Sequence, residues 1–324
     1  MRLRRRILRI ILFLLAVPVI LCGALYGFHK ISLWAESRKY PPVGKMVEVN
    51  GHQMHVYGEG DGNGNETLVF LSGSGTAAPA LDFKALYSRL SDQYHIVVVE
   101  RAGYGFSEAA DIPRDIDTVL EETRSALTLS GENGPYILFP HSLSGIEALY
   151  WGQKYPDEVK AIIGLDAAVP TLYLSWGKQL LEDTADHMKL LSFFYRSGLV
   201  RLQPEIYNTD PAMTMDVLSD EEKAMYRAVV MRSFMTGSMA DEARSCYDNA
   251  VNVDSLGKPV KIPVYYFISD GSQVAPGWRD TVTDYLSSFE NAHYMFLDCG
   301  HYVHDDMPDM IAGESINFMK SLTK

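Results

Sequence analysis

Short, wholly apolar segments alternate with helix-like segments along most of this chain, and this alternation restricts its fold more than any other feature. Strands are predicted at residues 68–71, 96–99, 136–139, 159–165, 264–268 and 294–297. Helices are predicted between and after them, at residues 83–90, 116–129, 143–155, 278–288 and 310–322. Strands that are apolar throughout are typical of parallel sheets with helices on both faces. The sequence therefore predicts an α/β fold with a mostly parallel central sheet.

The alternation is interrupted by one long segment. Residues 170–255 are rich in Leu, Met, Phe and Tyr at helical spacing and contain no clear strand. A helical block inserted after a sheet strand is expected to cover the carboxyl edge of the sheet, where ligands bind in such folds. We therefore expect a core of residues 46–169 and 256–324, which begins with a hairpin around Asn50-Gly51, and a helical cap of residues 170–255.

The N-terminal segment differs in character from the rest of the chain. Residues 10–28 carry no formal charge, and a helix needs about 20 such residues to cross the hydrocarbon core of a bilayer. Arginines precede this run, so the positive-inside rule predicts a cytoplasmic basic tail at residues 1–9 and a catalytic domain on the extracytoplasmic side. Residues 29–45 are expected to be a linker. A cleaved signal peptide and a buried soluble helix are the alternatives to an uncleaved single-pass anchor.

Composition and charge exclude several classes of function. The chain is 47% apolar and 22% charged, as ordinary globular proteins are. Its formal net charge is −12, so no nucleic-acid-binding surface is expected. Its three cysteines do not suggest a disulfide framework. His301 and His304 have no evident third ligand in the sequence, and we expect neither a metal ion nor a cofactor.

Ser142 is the strongest candidate for a reactive side chain. It lies between a predicted strand and a predicted helix, within the stretch 139–145. A serine on such a turn is held with its hydroxyl above the sheet, and small residues are needed two positions to either side, where Pro140 and Ser144 stand here. The Leu143 N–H would be an oxyanion donor at the helix N-terminus. The alternative is that Ser142 only caps the helix.

His301 is the candidate base for that serine. It follows the last predicted strand, which places its imidazole at the same sheet edge as Ser142. A serine hydroxyl is a weak nucleophile unless an adjacent base removes its proton. The alternative, that His301 only packs or caps, does not explain why both residue types occur at this edge.

Four segments together resemble the α/β-hydrolase superfamily, in its single-domain branch with a helical cap. They are residues 72–75, 100–107, 141–143 and 300–301, and the resemblance covers about residues 45–322. They correspond in turn to the family's oxyanion loop, its D-R-x-G-x-G-x-S stretch, its nucleophile turn and its histidine loop. The resemblance implies that the Ser74 N–H is the second oxyanion donor. Within this superfamily, a serine at position 142 argues against the haloalkane dehalogenases and epoxide hydrolases, which have aspartate there.

The resemblance leaves two candidates for the acid that orients the histidine. One branch of the family places the acid after the sixth strand, where this chain has Asp166. The more frequent position, after the seventh strand, falls on Ser272, and Asp270 is the nearby carboxylate. Either acid could hold the second imidazole nitrogen and stabilise the imidazolium.

The sequence thus predicts a membrane-anchored serine hydrolase with Ser142 as nucleophile and His301 as base. The expected substrate is a small ester, thioester, lactone or amide with an apolar part. The expected contact with the lipid bilayer is through residues 10–28. The alternatives are an acyltransferase that uses the same residues and a catalytically silent binding module on the same fold.

Overall fold

A single eight-stranded sheet forms the centre of the protein. The computed structural model describes residues 2–60, 66–203, 208, 210–259 and 261–322. The strands are Lys45–Val49 (β1), His52–Glu59 (β2), Thr67–Leu71 (β3), His95–Glu100 (β4), Tyr136–Pro140 (β5), Val159–Leu165 (β6), Val264–Ile268 (β7) and Ala292–Phe296 (β8). They lie in the order β1-β2-β4-β3-β5-β6-β7-β8. Among the strands of these described residues, only β1–β2 and β2–β4 pair antiparallel, so the predicted mostly parallel sheet is confirmed.

Helices cover both faces of this sheet, as the sequence predicts. The α-helices of the described residues are Arg2–Lys39 (α1), Pro79–Asp82 (α2), Lys84–Tyr87 (α3), Ile116–Ser130 (α4), Ser144–Lys154 (α5), Pro170–Trp176 (α6), Lys178–Ser197 (α7), Pro211–Thr214 (α8), Asp220–Ser233 (α9), Gly237–Ser255 (α10), Trp278–Leu286 (α11), Val303–Asp306 (α12) and Pro308–Ser321 (α13). The helix predicted at 83–90 is shorter than expected, since only the one-turn α3 forms there.

The apolar strands follow from burial on both faces. Val69 of β3 belongs to one buried cluster together with Leu120 of α4. The next residue, Phe70, belongs to the opposite cluster together with Phe318 of α13. Successive side chains of a strand point to opposite faces, and both faces here are covered. The interior positions of such a strand, such as residues 68–71 of β3, are therefore apolar.

The predicted hairpin begins the sheet. Asn50 and Gly51 connect β1 to β2 with φ values of 50° and 84°. Two consecutive positive φ values define the type I′ turn, which favours Asn-Gly because its backbone twist matches that of the flanking strands.

The helices α6 to α10 all lie between β6 and β7 in the chain, within the predicted cap segment 170–255. Their buried cluster includes Tyr226 and Val230 of α9 and reaches Ala77 and Ala78, in the loop that follows β3. The cap thus packs on a loop at the carboxyl edge of the sheet. Residues 204–207 and 209 of the predicted cap lie outside the described residues.

The prediction of a linker over residues 29–45 is wrong for its first part, because α1 continues without a break to Lys39. This extension is helical because it docks on the cap. Leu33 packs against the buried cluster of the cap. Two guanidinium N–H groups of Arg201 donate to the Glu36 carboxylate at 2.7 Å. The N-terminal helix is therefore part of the folded body at its C-terminal end.

The other end of α1 is apolar and free of the body. The segment Arg4–Lys39 is long and apolar enough to cross a membrane, and none of its most apolar 18-residue window is buried in the protein. By length and composition this helix fits either a membrane anchor or a signal sequence.

Candidate active site

Ser142 lies on the turn between β5 and α5 and is half-buried. Its φ of 53° is in the left-handed region, which costs an L-residue about 1–2 kcal/mol. Its carbonyl accepts the N–H of Gly145 at 2.9 Å and the N–H of Ala168 at 2.8 Å. These bonds hold the strained conformation, which is the one that lifts a serine hydroxyl above the sheet edge.

His301 and Asp166 are in direct contact. The Nδ1 of His301 donates to the Oδ2 of Asp166 at 2.6 Å. His141, the residue before Ser142, lies against the same imidazole, and the two ring centres are 4.6 Å apart. The structure thus brings together residues that follow β5, β6 and β8, at one edge of the sheet.

The Asp166 carboxylate is buried and held by two further donors. Its Oδ1 accepts the backbone N–H of Ser269 at 2.7 Å and the indole N–H of Trp278, also at 2.7 Å. Burying a charge is costly unless it is paired and hydrogen-bonded, and these three bonds meet that need. Trp278 could not be identified from the sequence, because nothing in its own segment indicates a partner 112 positions away.

Asp270, the other candidate acid, is not brought to the histidine. Its side chain is exposed and accepts the N–H of Ser272 at 2.8 Å, which closes a local turn. Hydrogen bonding to Ser272 lowers the pKa of the Asp270 carboxyl. The segment after β7 contributes Gln273 instead, whose Oε1 accepts the backbone N–H of His301 at 3.0 Å.

The two predicted oxyanion donors lie on adjoining segments. Leu143 is buried and is the N-cap residue of α5, so its peptide group is at the positive end of the helix dipole. Ser74 is exposed in the loop after β3. A Cβ added to Gly73 would lie 2.9 Å from the Cβ of Ser142, so this loop packs directly on the serine turn.

A buried arginine connects this loop to the core and to the cap. The Arg101 guanidinium lies 3.1 Å from Glu147 of α5 and 3.1 Å from Glu242 of α10. It also donates to the Gly73 carbonyl at 3.4 Å. Arg101 belongs to the stretch 100–107 that resembles the family motif. Through these contacts Arg101 positions the loop of Gly73 relative to α5 and α10, beside the candidate site.

The cap places an apolar side chain over the same loop. Met235, between α9 and α10, has its methyl group 3.4 Å from the position that a Cβ on Gly75 would take. The next residue, Thr236, donates its hydroxyl to the Gly103 carbonyl at 3.2 Å. The cap is therefore in contact with the loops that surround Ser142.

Among the described residues, three buried side chains could together hold a metal ion. Asp82, His304 and Asp305 each place one ligand atom within 4.8 Å of the others. The Nε2 of His304 donates to Asp82 at 3.3 Å. Burial, together with the charges of Asp82 and Asp210, raises the pKa of Asp305 to about 9. The raised pKa favours the protonated, neutral form of Asp305, which reduces the negative charge of this cluster.

His141 gives the site a testable pH response. Burial, with the nearby His301 and His304, lowers its pKa well below the usual value of 6.5. Below pH 6.5 the His141 imidazole therefore binds a proton in the unfolded chain but not in the native state. Through this group the free energy of unfolding falls by about 1.4 kcal/mol for each pH unit below 6.5.

We expect His141→Gln to remove that contribution between pH 7 and pH 5. Urea unfolding of both proteins across this range measures the difference in slope, and the other titrating groups cancel between the two. Identical slopes would contradict a neutral, buried His141.

Comparisons with known proteins agree with this architecture. The family model described as "Alpha/beta hydrolase family" matches residues 68–314. The uncharacterized protein YbdG of Bacillus subtilis is 38% identical over 98% of both chains. The 2-(acetamidomethylene)succinate hydrolase of Mesorhizobium japonicum is 25% identical over 38% of this chain and 42% of its own. In the solved structures, the epoxide hydrolase VrEH1 of Vigna radiata superposes with a TM-score of 0.64 at 18% identity, over 86% of this chain and 97% of its own. That last likeness concerns the fold alone.

Proposed function

The chain belongs to the α/β-hydrolase family, and from this premise we propose that it is a serine hydrolase with an acyl-enzyme on Ser142. The observation that carries the proposal is the 2.6 Å contact between His301 and Asp166 beside the strained Ser142 turn. A serine, a histidine and a buried acid in this arrangement activate the hydroxyl for attack on an acyl carbon.

The proposed chemistry has two stages. The Oγ of Ser142 bonds to the acyl carbon while the Nε2 of His301 takes the hydroxyl proton, and the same proton then goes to the leaving group. Water next attacks the acyl-enzyme, giving one proton to His301, which returns it to Ser142 as the acid product leaves. Asp166 keeps the Nδ1–H of His301 oriented and stabilises the imidazolium. The N–H groups of Leu143 and Ser74 stabilise the oxyanion at each stage.

The proposed substrate is a small ester, thioester, lactone or amide with an apolar part. The apolar contact of Met235 with the Gly75 loop supports the apolar part. The resident residues supply both the nucleophile and the proton transfers, so the proposal includes no cofactor.

We also propose that residues 10–28 of α1 cross a membrane and that the body lies on the extracytoplasmic side. The unburied apolar window of α1 and the arginines before it support this placement. The continuity of α1 supports an uncleaved anchor over a signal peptide, because cleavage after the apolar run would have to occur within one unbroken helix that is docked on the cap.

A fluorophosphonate probe tests the proposed nucleophile. We expect the full chain in detergent to be labelled on serine, and we expect labelling to disappear in Ser142→Ala and in His301→Ala. The probe reacts only with an activated serine, so the test does not require the substrate. Mass spectrometry of the labelled peptide identifies the serine that carries the probe.

Ser144→Ala is the matched control, since Ser144 is two residues away and its buried hydroxyl donates to the Leu71 carbonyl. Labelling that persists in Ser142→Ala would refute the assignment of the nucleophile. A folded chain that takes no label would favour a binding module on this fold.

A further inference from the structure

An apolar patch is exposed at one end of the cap. It consists of Leu190, Phe193 and Phe194 of α7 together with Leu202, whose exposed fractions range from 40% to 66%. The rings of Phe193 and Phe194 touch, with centres 5.8 Å apart. Leu190 precedes them by three and four positions, which puts the helix residues on one face. Large apolar side chains grouped in this way indicate a surface that contacts a protein, a membrane or a ligand.

The contact between α1 and the cap fixes where this patch lies. Gly198 ends α7 and packs so closely on α1 that an added Cβ would be 2.6 Å from the Cβ of His29. The Nε–H of Arg201 donates to the Nδ1 of His29 at 2.9 Å. His29 directly follows the apolar run 10–28. The end of α7 is therefore level with the point at which α1 would leave the hydrocarbon core.

The patch is close enough to that level to enter the bilayer surface. A helix rises 1.5 Å per residue, so the five residues from Phe193 to Gly198 extend about 8 Å at most. The headgroup layer adds roughly 5–8 Å to each side of the hydrocarbon core. Phe193 and Phe194 thus fall within or at the edge of the headgroup layer that surrounds His29, whereas Leu190, about 12 Å from Gly198 along the helix, lies above it.

The neighbouring side chains have the chemistry of a membrane interface. Trp34 of α1 is 58% exposed, and the Arg38 guanidinium lies 4.1 Å from its ring centre. Lys30 and Arg196 are exposed in the same region of α1 and α7. Aromatic rings and basic side chains are enriched where a membrane protein meets the headgroups, and basic groups attract anionic lipids. This basic fringe contrasts with the acidic charge of the whole chain.

We propose that the patch inserts into the headgroup layer of the bilayer that α1 spans, through Phe193, Phe194 and Leu202. The cap would then have two membrane contacts, the helix and the patch, and could not turn away from the lipid surface. This inference rests on the membrane anchor under the proposed function and does not depend on the assignment of Ser142.

Depth-dependent fluorescence quenching tests the proposal in the full chain. The background is Cys22→Ser with Cys299→Ser, and the buried Cys246 is retained. Phe193→Cys carries a nitrobenzoxadiazole probe in vesicles of phosphatidylcholine and phosphatidylglycerol, with doxyl-labelled lipid as quencher. Leu129→Cys is the control, since Leu129 is 59% exposed on α4. The next residue, Ser130, accepts a hydrogen bond at its carbonyl from Lys45. Lys45 follows the C-terminal end of α1, which is the end that points away from the membrane in this proposal, so position 129 is expected to lie far from the lipid.

We expect doxyl lipid to quench the probe at position 193 several-fold more strongly than the probe at position 129, with a blue-shifted emission at 193. Equal quenching at the two positions, in protein that stays in the vesicles after alkaline carbonate washing, would overturn the patch proposal and leave the anchor intact. Release of the protein by the carbonate wash would overturn both.

Discussion

Asp166→Asn is expected to lower kcat by about 10⁴-fold, the loss found when the acid of a serine hydrolase triad becomes an amide. The carbonyl oxygen of the new amide could still accept from Ser269 and Trp278. Its NH₂ group would then face His301 and could not accept the Nδ1–H, so the imidazole would adopt the wrong tautomer. The kcat on a short-chain aryl ester measures the effect, and the rate of fluorophosphonate labelling gives a second measurement that needs no substrate.

Asp270→Asn is the matched control for this change. It removes the other carboxylate that the sequence offers, but Asp270 is exposed and bonds to Ser272 in its own turn. We expect its kcat to stay within about twofold of the parent, as for a surface substitution. Equal losses in the two variants would leave the acid unassigned, and a loss confined to Asp270→Asn would reverse the assignment.

The sheet and its order of elements could be predicted from the sequence because each depends on local signals. Strands such as β3 and β4 are buried on both faces, so their apolar runs identify them without knowledge of their partners. The Ser142 turn could also be predicted locally, because a serine between a predicted strand and a predicted helix is itself the pattern of a nucleophile turn. Both signals can be read from residues that are close together in the chain.

The choice between Asp166 and Asp270 could not be made from the sequence, because it depends on contacts across the sheet. Asp166 is 135 positions from His301 in the chain. Its carboxylate is held by an indole and a backbone N–H that no spacing rule reveals. Whether a carboxylate after a strand orients a histidine or closes a turn is decided by neighbours that only the folded chain supplies.

The docked extension of α1 has a helical spacing of residues in its sequence that hydropathy alone does not show. His29, Leu33 and Glu36 lie four and three positions apart, which places them on one face of a helix. In the structure this face contacts the cap through Leu33 and through the two bonds of Arg201 to Glu36. The prediction for this segment is a linker that ends in Pro41-Pro42, whereas the spacing of these three residues favours a helix with a partner.

That docking has a consequence for how the body is held. A flexible tether would let the candidate site face any direction, whereas the proposed anchor, a helix that packs into the cap, would set one orientation relative to the bilayer. The buried cluster against which Leu33 packs includes Ala77 and Ala78, which lie in the same loop as Ser74. The proposed anchor and the candidate site are thus connected through one packed region.

Gly145→Ala is expected to destabilise the protein by about 3 kcal/mol, at the upper end for overpacking a buried site. An added Cβ would lie 2.2 Å from the carbonyl oxygen and 2.7 Å from the nitrogen of Ala168. Both are backbone atoms, so no side-chain rotation can relieve the contact. The Ala168 N–H also bonds to the Ser142 carbonyl, and we expect slower fluorophosphonate labelling as well.

Gly313→Ala is the control, because Gly313 lies within the helix α13 and an added Cβ there would meet nothing within 4 Å. A glycine inside a helix costs about 0.5–1 kcal/mol relative to alanine, so this variant should be slightly more stable than the parent. Urea unfolding midpoints of the two variants and the parent measure both effects. If Gly145→Ala were as stable as Gly313→Ala, the close packing that holds the Ser142 turn against the segment after Asp166 would be disproved.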